Sequence, residues 1–290
     1  MRDWIRKPEY PGAFGLQEHI EKNEDGSDLI TLSFPLLDAT GDVLCRFSTR
    51  DGGVSEGRFR SMNLSSNLGD EKERVLENYR RILRIFGADF SHIAATKQTH
   101  TTNVRIITEK DAGNGFERPY EYDNVDGIVT DVPGLVLAGF GSDCCLLFFA
   151  DPVHRAVGVS HSGWKGTVGR IGEKTVRLME KEYGTRPEDL LCAVGPSICR
   201  DCYEVSEDVA VKFQEEFPLH ISEIMDAKGG GKYQLDLWAA NRVVLEEAGV
   251  RSENIEVTDI CTMCNPDRLF SHRATHGKRG NNGGFIMLKK

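Results

Sequence analysis

The sequence predicts an α+β protein of layered helices and mixed sheets, and three observations carry that prediction. The middle of the 290-residue chain holds runs that are apolar at consecutive positions, such as Leu146-Leu147-Phe148-Phe149, which suit strands covered on both faces. Segments with apolar residues at three- and four-residue spacing separate the strand clusters and read as amphipathic helices. The strands come in clusters rather than alternating one for one with helices, so the sheets are expected to be mixed.

In chain order, residues 1–40 are expected as a peripheral segment of one domain spanning 1–290, with a hairpin or loop at 21–28. A strand at 43–49 runs into Arg50-Asp51-Gly52-Gly53, whose glycines suit a sharp turn. A helix is expected over 72–86, with Asp70 as N-cap, Glu73 completing a capping-box-like pattern and Gly87 as the stop. Val75, Tyr79, Ile82, Leu83 and Phe86 give it an apolar stripe. Strands follow at 92–96, 104–108, 127–130, 135–140, 145–150 and 156–160. A helix at 168–183 ends before Gly184, a strand at 190–194 leads to helices at 206–217 and 236–248, and short strands at 255–257, 269–271 and 285–288 finish the chain. No repeat, low-complexity tract or Pro/Ser-rich linker divides it.

Composition narrows the partners. A net charge of −9 argues against general affinity for nucleic acid or anionic membranes, which reward clustered Lys and Arg. Residues 1–11 lack the apolar centre of a signal peptide, and no run reaches membrane-spanning length. The cytoplasm is therefore the expected location, and no obligate protein partner is evident. There, the eight cysteines are expected as free thiols or metal ligands rather than disulfides.

His161, in Val157-Gly158-Val159-Ser160-His161-Ser162-Gly163-Trp164-Lys165-Gly166, lies between an apolar run and a glycine-opened helix. Upstream, His100 and Cys144 also fall at strand ends or turns. Two imidazoles and one thiolate are the ligand set of a zinc site with a fourth position open to water or substrate. The same three residues also suit a metal-free Cys144 nucleophile with His161 as base, and a His at a strand end is often an ordinary hydrogen-bonding core residue. Asp143 is placed to accept from an imidazole N–H, or else to cap the turn. Gly163, Lys165 and Gly166 open a helix whose free amides favour an anion, without the Gly-Lys-Ser/Thr ending of a P-loop. Arg50 offers a bidentate clamp for phosphate or carboxylate, and Gln98 could read a base edge or orient a ligand. Two Cys-x-x-Cys pairs, Cys199/Cys202 and Cys261/Cys264, have metal-like spacing, but 58 residues separate them. A structural second metal, a redox pair and ordinary buried thiols all stay open.

Across nearly the whole chain from about residue 43, a series of segments resembles a known family. They are Phe47-Ser48-Thr49-Arg50-Asp51-Gly52-Gly53, Met62-Asn63-Leu64 with Gly69-Asp70, Lys97-Gln98-Thr99-His100, Asp126-Gly127-Ile128-Val129-Thr130, Ser142-Asp143-Cys144, His161-Ser162-Gly163-Trp164-Lys165-Gly166, Gly195-Pro196-Ser197-Ile198 with Tyr203-Glu204-Val205, and Phe270-Ser271-His272-Arg273. The family is that of the multicopper polyphenol oxidases or laccase-domain proteins, regarded as purine nucleoside phosphorylases. The resemblance implies zinc held by His100, Cys144 and His161, with copper the lesser alternative. It implies an α/β/β/α layered fold similar to the cytotoxic-necrotizing-factor-like cysteine hydrolases. It further implies phosphorolysis of adenosine, inosine and methylthioadenosine, with adenosine deamination; polyphenol oxidation is an older attribution. The chain departs from the family pattern at Cys145, where no Pro follows the Asp-Cys pair until Pro152, and at Thr101, where a Gly is common. Both changes touch the wall of the expected pocket.

Overall fold

The computed structural model describes residues 3–290, apart from the Ser66 side chain. Strands β1 (Gln17–Lys22), β2 (Asp28–Ser33) and β3 (Val43–Ser48) come first, with a short helix α1 (Pro35–Asp38) between the second and third. Helix α2 (Lys72–Ile85) precedes β4 (Ile93–Ala95), β5 (Val104–Ile106), β6 (Gly127–Thr130), β7 (Val136–Gly141), β8 (Cys145–Asp151) and β9 (Ala156–Ser162). Then come α3 (Trp164–Val168), α4 (Ile171–Tyr183), β10 (Leu191–Val194), β11 (Glu204–Ser206), α5 (Glu207–Glu216), α6 (Ile221–Ile224), β12 (Met225–Gly229) and β13 (Lys232–Leu235). Helix α7 (Leu237–Glu247), β14 (Ile255–Val257) and β15 (Asn282–Leu288) complete the chain.

Among the described residues the strands form two six-stranded sheets and one of three. The first sheet runs β1-β2-β3-β15-β7-β4 and the second β14-β10-β8-β9-β6-β5. Both are mixed: β4 with β7, β5 with β6 and β10 with β14 are parallel, and the other pairs antiparallel. The side chains of β8 show how the layers stack. Leu146, Phe148 and Ala150 point between the two sheets, into a core shared with Leu137, Val159 and Ile286. Cys145, Leu147 and Phe149 point the other way, toward Ile171, Val176, Val243 and Val244 of α4 and α7. This period-two division of an unbroken apolar run is what a strand covered on both faces requires. On the far side of the first sheet, Val75, Tyr79, Ile82 and Leu83 of α2 pack on Val136, Ala138, Phe285 and Met287.

The structure corrects several expectations. Residues 1–40, expected at the periphery, supply two strands of the first sheet, and Leu32, Phe34 and Leu37 are fully buried in the inter-sheet core. The hairpin at 21–28 is present as the β1–β2 connection. The helix expected at 168–183 is α4, which starts three residues later at Ile171; the short helix α3 precedes it, and between the two Arg170 sits in the left-handed region at φ 59° with its guanidinium on Glu173, Glu216 and Glu247. Asp70 does not cap α2; its carboxylate accepts from Ser55 Oγ and Asn63 Nδ2 instead. Residues 269–271 are not a strand. The Asn282 side chain stands in for a neighbouring strand there, accepting from the Phe270 N–H and donating to its carbonyl. Among the described residues no helix is long and apolar enough to cross a membrane.

Candidate metal centre and its cavity

The chain changes sheets at residues 142–144, leaving the first sheet at the end of β7 and entering the second at the start of β8. That crossing needs an abrupt reversal, and Asp143 takes it at φ 126°, a conformation that L residues rarely adopt. Its carboxylate anchors the turn by accepting from Thr262 Oγ1 at 2.6 Å and from the Arg273 N–H at 2.7 Å. Cys144 is thereby held at the rim. His161 arrives from β9, where it pairs with Leu146, and His100 comes from the loop after β4 at φ 63°. The ligand atoms of His100, Cys144 and His161 lie within 4.8 Å of one another, and the two imidazoles meet edge to face at 4.8 Å between centroids.

Asp126 organises two of the three. It is fully buried before β6, and its carboxylate accepts from the backbone N–H groups of Thr99, His100 and Thr101, from Thr101 Oγ1, and from His161 Nδ1 at 2.9 Å. One acid thus shapes the loop that presents His100 and fixes the ring of His161. Burial alone raises its pKa, but the bonds from His161, Thr99 and Thr101 outweigh it and hold the carboxyl down at about 2. An ionised Asp126 takes the proton on Nδ1, which leaves His161 Nε2 as the free ligand atom. Sequence reasoning assigned that accepting role to Asp143; Asp126 performs it, and Asp143 braces the turn.

Burial opposes a thiolate at Cys144, but His161 and His100 beside it prevail and bring its pKa down to about 6. Burial likewise opposes an imidazolium at His161, and Cys144 with Asp126 prevails, pushing its pKa up to about 9. A deprotonated sulfur beside two imidazoles, one tied to a buried carboxylate, is a donor set that fits a tetrahedral metal with one position left for another ligand. Gly163 caps α3 against this cluster: a Cβ there would lie 2.9 Å from Cys144 Sγ and 3.4 Å from His100 Cδ2.

A cavity of about 810 Å³ opens onto the cluster, within the range of small-molecule sites. Aromatic rings of Phe116, Tyr120, Phe140, Trp164 and Tyr203 wall it, and Arg273 and Arg279 supply cations. Arg279 is half-buried, and its Nε makes no hydrogen bond among the described residues. Of the remaining residues singled out from sequence, Gln98 lines the cavity but spends its amide on Phe140, donating to its carbonyl at 2.8 Å and accepting from its N–H at 2.8 Å. Lys165 is exposed with Nζ over the Trp164 ring, and Gly166 is buried away from the lining. Arg50 is not brought to the cavity: its guanidinium donates to the carbonyls of Arg60 and Pro266 and lies over Phe270. Sequence reasoning missed Arg279 and the organising role of Asp126. For Asp126 a signal existed, an acid placed directly before the apolar run Gly127-Ile128-Val129.

The chain is similar to known proteins over most of its length. It is 36% identical over 253 residues to a purine nucleoside phosphorylase, YlmD, of Bacillus subtilis, covering 86% of this chain and 90% of that protein. It is 35% identical over 231 residues to an adenosine deaminase, RL5, of an unknown prokaryotic organism, covering 78% and 87%. The crystal structure of YlmD from Geobacillus stearothermophilus superimposes with a TM-score of 0.84 at 30% identity, covering 94% of this chain and all of that one. Residues 44–289 match the family model described as multi-copper polyphenol oxidoreductase laccase, and the chain belongs to that family.

Proposed function

We propose that the protein is a zinc-dependent purine nucleoside phosphorylase acting on adenosine, inosine and methylthioadenosine, with adenosine deaminase activity. The observation that carries the reading is the union, in one cavity, of a His/Cys/His donor set, aromatic walls and two arginines. The names of the relatives in YlmD and RL5 agree with it. The layering also suits the expected likeness to cysteine hydrolases of the cytotoxic-necrotizing-factor type.

His100, Cys144 and His161 would hold the metal, which as a Lewis acid would polarise a substrate oxygen or nitrogen. The remaining work falls to the chain. Aromatic faces at Tyr203 and Trp164 stack and orient the purine, and the enclosed cavity limits competing water. Phosphate goes to Arg273 and Arg279, which line the cavity, rather than to Arg50, which does not. A phosphate oxygen then attacks the ribose C1′ as the bond to the purine nitrogen breaks, and the departing base takes up a proton. For deamination, water adds at C6 of adenine and ammonia leaves. Asp126 holds His161 in one tautomer throughout and keeps its own charge.

A second reading has support of its own: without metal, the Cys144 thiolate beside the His161 imidazolium is the arrangement of a cysteine hydrolase or deamidase. Copper-dependent polyphenol oxidation is the weaker alternative. A blue-copper site adds a long axial Met or a comparable ligand to His2Cys, and among the described residues no methionine lines the cavity and the Gln98 amide is engaged. Mass-spectrometric product analysis of adenosine and inosine, with and without phosphate, tests these readings beside His100→Ala and Cys144→Ala. Ribose 1-phosphate and free base, dependent on phosphate and lost in both variants, is the expected result; turnover lost only in Cys144→Ala and indifferent to chelators would favour the hydrolase.

A further inference from the structure

Behind the cavity wall, the four cysteines of the two Cys-x-x-Cys pairs come together. The 58 residues between the pairs do not keep them apart, because β10 and β14 are parallel neighbours and the pairing continues beyond them through a bridge between Ser197 and Cys261. The two loops therefore leave the same sheet edge side by side. All four Sγ atoms lie within 4.8 Å of one another, and those of Cys202 and Cys264 are 3.5 Å apart. A tetrahedral tetrathiolate with metal–sulfur bonds of about 2.3 Å has sulfur–sulfur edges of about 3.8 Å. None of the four is disulfide-bonded.

The surrounding donors suit sulfur that carries charge. The backbone N–H of Cys199 points at Cys261 Sγ at 3.3 Å. An N–H···S bond of this kind supports a thiolate rather than a thiol. Lys7 stands near Cys199 and Cys264 and is anchored by Asp201 at 2.6 Å, placing a cation beside the group. Cys199 and Cys261 are buried, and Cys202 and Cys264 half-buried, as in a structural site closed to substrate.

We infer that Cys199, Cys202, Cys261 and Cys264 bind a second, structural metal ion of the zinc class, separate from the His100/Cys144/His161 cluster. The ion ties the loop between Ile198 and Tyr203, both of which line the cavity, to the segment that carries Thr262, the donor to Asp143. Its role is to hold the wall and the turn of the candidate active site while taking no part in turnover.

The test uses the full chain expressed as the His100→Ala/Cys144→Ala double variant, which removes the other cluster. Metal analysis is expected to find one zinc per chain. Replacement by cobalt(II) is expected to give thiolate-to-metal charge transfer and the intense visible bands of a tetrahedral tetrathiolate. Adding Cys202→Ser and Cys264→Ser should abolish both signals. Should that variant fail to fold, cobalt titration of the double variant alone still decides the matter. A double variant that folds without metal and gives no charge transfer on cobalt addition overturns the inference. So does a non-reducing mass showing these cysteines oxidised in pairs in freshly purified wild-type protein.

Discussion

Replacing Asp126 with Asn removes one charge and changes no volume, yet its consequences reach two of the three residues proposed to hold the metal. The carboxylate accepts five hydrogen bonds, two on Oδ1 from the His100 N–H and His161 Nδ1 and three on Oδ2 from Thr99, Thr101 and its hydroxyl. An amide has a single oxygen. If that oxygen faces His161, the NH2 group confronts the N–H groups of Thr99 and Thr101, and two part-buried donors lose their acceptor, at about 1 kcal/mol each. If it faces the threonines, His161 must shift its proton to Nε2, the atom the cluster needs, and metal affinity falls. The expected loss is about 10–100-fold in affinity, the range for partners that orient a ligand. Competition against a chromophoric chelator measures it. A pH titration of stability adds a second readout. The Asp126 carboxyl is held at about 2 against an ordinary 3.8, so it contributes on the order of 2 kcal/mol above pH 4 that is lost as pH falls toward 2. Asp126→Asn should lack that acid-sensitive contribution. An Asp126→Asn protein that binds metal within twofold of wild type, while Asp143→Asn loses more, would return the orienting role to Asp143 and refute this account.

Three further outcomes are expected. Gly163→Ala has a permitted backbone at φ −73° but sets a methyl 2.9 Å from Cys144 Sγ; relief moves the sulfur by several tenths of an ångström, beyond the ±0.2 Å tolerance of metal–ligand distances, so metal content measured after dialysis should fall while circular dichroism is unchanged. Arg279→Gln should raise the KM for phosphate at least tenfold with little change in that for nucleoside, whereas Arg50→Gln should leave the phosphate KM within about twofold; equal effects in steady-state assays would remove Arg279 from that role. Glu256 is buried, one oxygen accepting from the Leu36 N–H and the other without a partner among the described residues, and burial pushes its pKa from 4.5 up to about 8. Its stabilising protonated form is complete below pH 4.5 and lost as pH rises through 8, so Glu256→Gln should flatten that decline and gain about 3 kcal/mol over wild type near pH 7 in urea unfolding.

How much of this was legible in the chain depended on how local the determinant was. The unbroken apolar run of β8 declared a strand buried twice over, and the stripe of α2 declared its packed face, because each pattern is written within one element. The edge strand β1 reads Gln-Glu-His-Ile-Glu-Lys, too polar to announce itself, and forms because β2 offers it a ladder of hydrogen bonds. Likewise the late start of α4 follows a left-handed Arg170 whose guanidinium is held by glutamates from three elements. In the site, His100, Cys144 and His161 could be singled out as residue types capable of the chemistry. What they bond to could not. Asp143 is adjacent to Cys144 in the chain and was the natural partner for an imidazole, yet Asp126, 35 residues before His161, is the one in reach. Arg50 showed the opposite failure, a good anion-binding residue beside a sharp turn that the fold places away from the cavity, with its guanidinium against the Arg60 and Pro266 carbonyls.

The adjacent cysteines at the sheet crossing show how the fold, rather than residue type, confers reactivity. Cys145 is the first residue of β8 and points to the helix side, where burial pushes its thiol up to about 12 and Ser197 Oγ lies 3.2 Å from its sulfur. Cys144 precedes it by one residue, in the turn outside β8, and its sulfur faces two imidazoles that bring its thiol down to about 6. The two thiols are therefore shifted in opposite directions, a difference set by which of them faces the histidine that Asp126 holds. It follows that the crossing turn must be rigid: a rotation at Asp143 large enough to exchange the two faces would present the wrong thiol. Asp143's positive φ is held in place by Thr262 and Arg273, and Thr262 in turn adjoins Cys261 of the four-thiol cluster. Reactivity at one sulfur is thus secured by a chain of contacts that ends at four others.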